Sequence, residues 1–586
     1  MQEIVANMLE MRGLSDIDAD EFLHPKYTNI GNPSDLKDLN KSVKRVYKAI
    51  QNNEKIAIYA DYDCDGIPGA VVLSDMFDII GFTNYVVYIP DRHKEGYGLH
   101  IPAIDSLVAD GVNLIITIDV GITAVDQAKY CKEKGIDLII TDHHLPLKLS
   151  PPPASPLAGG ESKPFLIVEG CDDFDNQIIP DAYAVINPKQ NNPSTGGNKY
   201  GDDMLCGSGV IFTFVRGFLD KYRAEYDVPV GWEKWLLDMV AIATLSDMVP
   251  LLKENRILAY YGLQVLKKTR RPGLQLLLQK AGVDMAHLVE DDVTFTLAPR
   301  LNAASRMDTP VTAFKLLKTK DAKEAVELSA QLESLNTDRK TKVANIMKQV
   351  KKTFEKSTDK LESNVVVVGD PNWSVGVLGL VASKIVDEHN KTVFVWARDE
   401  SGIIKGSCRS NCTCHLVSIM SSAPVGTFVT FGGHEGAGGF TVNNDAIHTL
   451  AEVLNSVHEN SVIEKENNNS IEALEISLSL VTDEVYKTIQ NFAPFGVANT
   501  KPLFLFKNVL IESAKEFGKD KNHLEIVVSH NSGKKIKAIS FFKTTNDFEE
   551  KLVPGIHIDL FACIEESRFM GRVEMRLRIE SLNIVL

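Results

Sequence analysis

The chain has 586 residues, and at about 150 residues per domain that length implies about four domains rather than one core. Hydrophobic residues make up 44% and charged residues 24%, which excludes a disordered, collagen-like or fibrous chain. Lys plus Arg is 63 and Asp plus Glu 78, and the resulting net charge of −15 argues against a nucleic-acid binder, whose usual footprint is basic.

Residues 1–50 read as a polar, helical lead-in arm. Its start, MQEIVANMLEMRGLSDIDADEFL, has acids where a signal peptide needs a basic region and an apolar core. No run of 18 apolar residues occurs anywhere, so no membrane span is expected and the default address is the cytoplasm. From 55 to 150 short apolar runs alternate with amphipathic stretches: KIAIYAD, VVLSDMFDIIGF, NYVVYIP, IPAIDSLVADG, NLIITID, VDQAKYCKEKG and IDLIITDHH. This pattern predicts βαβ units and a parallel sheet. Ligands of such sheets sit beyond the carboxyl ends of the strands. Here those ends carry Asp61-Tyr62-Asp63, Asp119 and Asp142-His143-His144.

Residues 149–180 are rich in Pro, Ser, Gly and Ala and read as a flexible surface insertion. WLLDMVAIATLSDMVPL reads as a buried helix ending at Asp247, and residues 310–358 as one long amphipathic connecting helix. A second α/β segment follows at 364–458, with strands NVVVVGD and TVFVWAR and the helix GLVASKIVDEH. The polar stretch SVIEKENNNSIE marks a linker. From about 470 to 586 the period is two in several places, which predicts a small β-barrel.

Three carboxylates at spacing two in DYDCDG can converge on one cation, and Gly66 permits a tight turn into the next helix. Asp119, the Asp142-His143-His144 run and Asp247 each follow another apolar segment. Carboxylates with imidazole suit Mn²⁺ or Mg²⁺. Two such ions about 3.5–4 Å apart form a site for in-line displacement at phosphorus. A lone aspartate at a strand end usually caps a helix or forms a turn, but four acidic elements at successive ends do not share that reading. A calcium EF-hand loop is excluded, because its twelfth position needs Glu and here holds Val72. The eight cysteines are too few and scattered for a disulfide framework and read as reduced thiols. Cys412, Cys414 and His415 lie close together, but no second pair sits nearby, so no structural zinc site is expected.

In this order DYDCDG, TIDVGI, TDHH and LSDMVP resemble the four motifs of the DHH phosphoesterase superfamily. IPDRHKEGYGL, PRLNAASRM, GSCRS and FGGHEGAGGF narrow the resemblance to its RecJ branch, single-strand-specific 5′→3′ DNA exonucleases of repair and recombination. The resemblance implies a multidomain α/β chain. Its parts are a helical N-terminal arm (1–50), a DHH parallel-sheet domain (51–309), a long connecting helix (310–358), a DHHA1 α/β domain (359–460) and a C-terminal OB-fold β-barrel (470–586). It implies Asp63, Asp65, Asp119, His143 and Asp247 as ligands of two Mn²⁺ or Mg²⁺ ions. Asp61, Asp142 and His144 act beside them, Asp142 orienting an imidazole and His144 donating to the scissile phosphate.

On the substrate side the resemblance points to Arg92, Arg300, Asn302, Arg306, Ser407, Arg409 and His434, with the 5′-terminal phosphate held by the second lobe. Arginine forks match phosphate bidentately. Residues 491–586 hold 14 Lys and Arg against 12 Asp and Glu, so the excess acid lies elsewhere. Phe541, Phe542 and Arg568–Phe569 are candidate stacking or cation–π groups for single-stranded DNA. Work after a helicase and beside a single-strand-binding protein is a further implication. The alternative is a DHH/DHHA1 phosphodiesterase on short RNA or cyclic dinucleotides. Such enzymes, like the related manganese pyrophosphatases, lack the β-rich tail. A non-catalytic scaffold would have lost ligands that this chain keeps. Ser305, Ser374, Glu435 and Cys64 depart from the family pattern without removing an implied metal ligand.

Overall fold

The structure, a computed structural model, describes residues 2–149, 166–167, 177–190, 200–357, 359–411, 414–433, 435–458, 472–518, 521–530, 533–548, 552–569 and 572–585. Most of the 149–180 insertion, the 461–472 linker up to residue 471, and His434 lie outside that set. The chain forms two units: residues 31–249 with 261–466, and residues 1–30 with 250–260 and 467–586.

The first unit begins with the helix Leu39–Gln51, which buries Leu39, Val43, Val46 and Ala49 at helical spacing. A five-stranded parallel sheet follows, in spatial order Tyr85–Tyr88, Ile56–Ala60, Leu114–Ile118, Asp137–Thr141, Ala184–Ile186. Ile56–Ala60 and Leu114–Ile118 are buried along their whole length, as strands covered on both faces must be. Ala103, Ile104, Leu107, Ala128 and Cys131 bring the helices Ile101–Ala109 and Val125–Glu133 onto one face. On the other face Gly69 of the helix Gly66–Ile79 lies against Ile118 and Ile211, so closely that an added Cβ would stand 2.6 Å from Ile118 Cγ2.

Residues 310–358 are not one helix. Val311–Lys318 ends, and Ala322–Lys356 starts anew, because the Asp321 carboxylate accepts from the Lys323 and Glu324 amides and caps it. The second helix has 35 residues, a length of about 52 Å. Its later half, through Val343, Ile346, Met347, Val350 and Phe354, helps build the core of a mixed sheet. That sheet runs Phe428–Gly433, Ala437–Val442, Ile404–Arg409, Thr392–Arg398, Val365–Gly369, and only its last pair is parallel.

In the second unit five strands close a barrel: Phe504–Phe517, His523–Ser529, Lys535–Ser540, Arg572–Ile584 and His557–Phe569. Alternate residues of each strand fill it, among them Phe504, Phe506, Leu524, Ile526, Val528 and Leu560. The first thirty residues belong here, whereas Leu39–Gln51 belongs to the first unit. Ile4, Met8 and Phe22 join the same core. Buried Arg256 lies over the Phe22 ring at 3.7 Å and donates to the carbonyls of Phe22, Phe492 and Ala493.

Candidate metal centre

Parallel strands end along one edge, so the acids that follow them are gathered there. The strand order branches between Ile56–Ala60 and Leu114–Ile118, and Asp61 and Asp119 stand immediately after these two. Two glycines allow the closest approaches. A Cβ on Gly66 would lie 2.5 Å from the Asp61 carbonyl oxygen, and one on Gly207 would lie 2.6 Å from Asp119 Cβ. Asp119 and Met248 adopt left-handed φ of 63° and 57°, a conformation costly for side chains other than glycine and frequent at functional sites.

The side chains converge. His143 Nε2 lies 3.1 Å from Asp119 Oδ1, 3.6 Å from Asp247 Oδ2 and 3.8 Å from Asp65 Oδ2. Asp65, His143 and Asp247 form one group whose donor atoms lie within 4.8 Å of one another, and Asp61, Asp63 and Asp119 form a second. Asp119, His143 and His144 make a third such group, which joins the first two. Seven of the eight acidic and imidazole residues expected here are therefore together, and Asp142 adjoins them through His144. Asp61, expected beside the ligands, stands among them by geometry. Asp142 is engaged differently: its oxygens accept from the Ile122, His143 and His144 amides, and from His144 Nδ1 at 2.8 Å. It thus orients the His144 ring.

Burial pushes the carboxyls of Asp61, Asp119 and Asp247 well up, and neighbouring carboxylates push them further. Asp65 is raised in the same way to about 6, against the amides of Gly207 and Ser208 that bind both its oxygens. Asp142 behaves oppositely. Its burial is outweighed by the His144 charge and hydrogen bond, which hold it at about 2. Burial lowers His144, but Asp142 raises it more, to about 9. The residues fit divalent cations on three counts: oxygen and imidazole donors, surplus buried negative charge, and Oδ1 atoms of Asp61 and Asp119 that are buried with no hydrogen-bond donor among the described residues.

A cationic cluster forms in the same unit. Arg92 lies 5.0 Å over the Tyr62 ring. Arg306 is half-buried and donates to the Gly376 carbonyl; desolvation, then the charges of Arg92, Arg409 and Arg339, push it down to about 9. Arg409 donates to Ser407 Oγ at 3.1 Å, beneath Gly379. Among the described residues, Asn302 Oδ1 is buried without a partner. Arg300 is not brought into this group: its guanidinium pairs with Glu333 at 2.7 Å and donates to the Thr296 carbonyl. Cys412 lies outside the described residues, Cys414 is buried, and His415 caps a helix through the Ser418 amide.

In the barrel unit an aromatic patch is exposed. Phe542 is 80% and Phe541 37% accessible. The His523 ring lies 4.9 Å from Phe542 and 5.5 Å from Phe541, and Arg576 stands 5.6 Å over Phe541. Both phenylalanines follow the strand Lys535–Ser540 instead of filling the barrel. Arg568 pairs with Glu566, and the side chain of Phe569 lies outside the described set.

Two contributors escape sequence reasoning. Tyr97 places its hydroxyl 3.3 Å from both His144 Nδ1 and the Asp119 carbonyl; the EGYGL glycines that position it are a signal for it. The start of the helix Gly207–Tyr222 anchors Asp65 through two amides and Ser208 Oγ, and its Gly-Ser-Gly sequence is the corresponding signal.

Three domain families match in the order expected: the DHH family, N-terminal domain over residues 55–159, the DHHA1 domain over 362–460 and the RecJ OB domain over 473–581. The single-stranded-DNA-specific exonuclease RecJ of Bacillus subtilis is 33% identical over 584 residues, covering 98% of this chain and 67% of that protein. Its Haemophilus influenzae counterpart is 29% identical, covering 94% and 91%. The crystal structure of RecJ with Mn²⁺ from Thermus thermophilus shares the fold at TM-score 0.76 and 22% identity, covering 99% of this chain and 75% of that one. A manganese-bound RecJ exonuclease matches at TM-score 0.57 and 26% identity, over 72% of this chain and 94% of that one. With a DHH sheet, a DHHA1 domain and a closed five-stranded OB barrel along one chain, this protein belongs to the RecJ family.

Proposed function

We propose that the chain is a metal-dependent exonuclease that hydrolyses single-stranded DNA in the 5′→3′ direction, in repair and recombination. The observation that carries this reading is the convergence of buried acids and histidines from four element ends at one edge of the DHH sheet. Two Mn²⁺ or Mg²⁺ ions, when bound there, supply an activated water and neutralise charge developing on the phosphate. Asp63, Asp65, Asp119, His143 and Asp247 hold them, with Asp61 alongside. Asp142 fixes His144 through Nδ1, and His144 hands a hydrogen bond or proton to the phosphodiester. Arg92, Arg306, Ser407 and Arg409 receive the 5′-terminal phosphate, and Asn302 and His434 keep their roles from the family resemblance.

Residues 51–309 carry the chemistry, 359–460 the phosphate grip and 470–586 the strand grip, with Phe541 and Phe542 as stacking groups. The ligands of the related manganese-bound exonuclease and the DNA specificity in its relatives' names support the choice of ions and substrate. No described helix is long and apolar enough to cross a membrane. We place the protein in the cytoplasm, following a helicase and beside a single-strand-binding protein; family membership is the support for both.

The deciding experiment uses Mn²⁺ with 5′-labelled single strand, duplex and short RNA. Mononucleotides released from the 5′ end of the single strand are the expected product. Release from RNA alone would shift the assignment to the short-RNA phosphodiesterases.

A further inference from the structure

The helix Gly66–Ile79 begins directly after Asp65, and the helix Leu237–Ser246 ends directly before Asp247. Each has one end in the metal centre. Their other ends meet at a cavity of about 550 Å³, lined from both helices and from the segments 229–236, 270–272 and 318–320. That volume is in the range of small-molecule sites. An ion network ties the two helices together at its floor. Arg271 reaches Asp238 at 3.0 Å and Asp75 at 2.8 Å, and Lys318 reaches Asp75 at 2.6 Å and Asp78 at 2.7 Å. These charges are mutually satisfied.

The rim differs from the floor. Arg270 and Lys320 also line the cavity, and among the described residues neither has an ion pair. The Arg270 guanidinium lies 3.9 Å over the Trp235 ring, a stack that holds its N–H groups ready for an anion. Trp235, Ile79 and Val230 are 39%, 39% and 93% accessible and supply an apolar wall beside the two cations. Free cations next to an exposed aromatic surface suit a small anion that carries a planar ring: phosphate for Arg270 and Lys320, ring for the Trp235 wall.

We propose that this cavity is an effector pocket for a nucleoside monophosphate. The choice of that ligand rests on the hydrolytic reading above, whose released product belongs to this class. A ligand bridging the rim would bear on both helices, and through them on the spacing of Asp65 and Asp247.

The test is calorimetry on the full chain in chelator, with dAMP and with inorganic phosphate. A dAMP site outside the 5′-phosphate grip is expected, weakened about tenfold or more by Arg270→Ala or Lys320→Ala and retained in Arg409→Ala; tenfold corresponds to about 1.4 kcal/mol. Both replaced side chains are exposed, so folding is not at risk. A second titration reads Mn²⁺ affinity with and without dAMP. Linkage requires a reciprocal change, expected at about fivefold or more in the parent and absent in Arg270→Ala. No dAMP binding at millimolar concentration, equal affinity for phosphate alone, or loss of binding in Arg409→Ala but not in Arg270→Ala would each overturn the pocket. Binding without any effect on Mn²⁺ would overturn its effector role. Because binding is read without catalysis, absent hydrolysis with intact dAMP binding would count against the exonuclease reading alone.

Discussion

The acidic cluster and the arginine cluster of the same unit are opposite in charge and alike in what they do to the fold. Burial and like-charged neighbours push Asp119 up; burial and like-charged neighbours push Arg306 down. In each, the charged form is disfavoured until a counter-charge arrives. They differ in how they are held. All the acids but Asp247, which ends a helix, follow adjacent strands of one sheet, so their spacing is as rigid as the hydrogen-bonded register. Arg92, Arg306 and Arg409 come from a loop, a helix and a strand of the second sheet, so their spacing depends on tertiary packing. Function is thus stored as electrostatic strain in both places, a cost that selection for stability alone would remove.

The largest expected effect breaks the acidic side. Asp119→Asn keeps the shape and tolerates the left-handed backbone. Hydrolysis should fall by at least about 10³-fold, because one ion loses a ligand. The melting temperature of the chelated protein should rise, since a buried repulsive charge has gone. A loss below tenfold would detach Asp119 from the metal site. On the cationic side, Arg306→Gln should raise KM for 5′-phosphorylated strands by roughly 10–150-fold, the worth of one charge-assisted hydrogen bond. The effect should be smaller on 5′-hydroxyl strands, and chelated stability should again increase. Equal effects on both strands would separate Arg306 from the terminal phosphate.

The same contrast explains what was legible in the sequence. All the acids but Asp247 lie within five residues of apolar strands, and strand periodicity places those at one edge; Asp247 ends an apolar helix. Arg300 looked equivalent to Arg306, but its partner Glu333 lies on another helix, and that pairing is tertiary. The break at 319–321 turns on one aspartate acting as a cap, which a continuous amphipathic pattern conceals. Ile4, Met8 and Phe22 show that the N-terminal helices have apolar faces, but nothing local says those faces complete the barrel core. Phe541 and Phe542 fit a strand pattern, yet the strand stops at Ser540 and leaves them exposed.

That exposure supplies a smaller prediction, in the barrel unit. Phe542→Ala should weaken binding of long single strands by about 1–3 kcal/mol, the usual worth of one base stack. Dinucleotide cleavage should be unchanged. Equal losses on both substrates would remove the barrel from strand binding and leave the phosphate grip to the arginines alone.

The smallest effect tests the stored strain directly, through pH. Asp65 is raised from the ordinary 3.8 to about 6, and Asp61, Asp119 and Asp247 rise well above 3.8. Between the unfolded and folded values the folded chain holds more protons than the unfolded one. Stability of the chelated protein therefore falls as pH rises from about 4 through 6 and beyond. Cations bind only the deprotonated carboxylates, so their stabilisation grows over the same window. Melting curves from pH 5 to 8 should slope downward in chelator and flatten in Mn²⁺, with the gap widening toward pH 8. Parallel curves would mean that protons and metal do not compete for these acids. In Asp119→Asn the chelated slope should shrink, because one of the competing carboxyls no longer titrates.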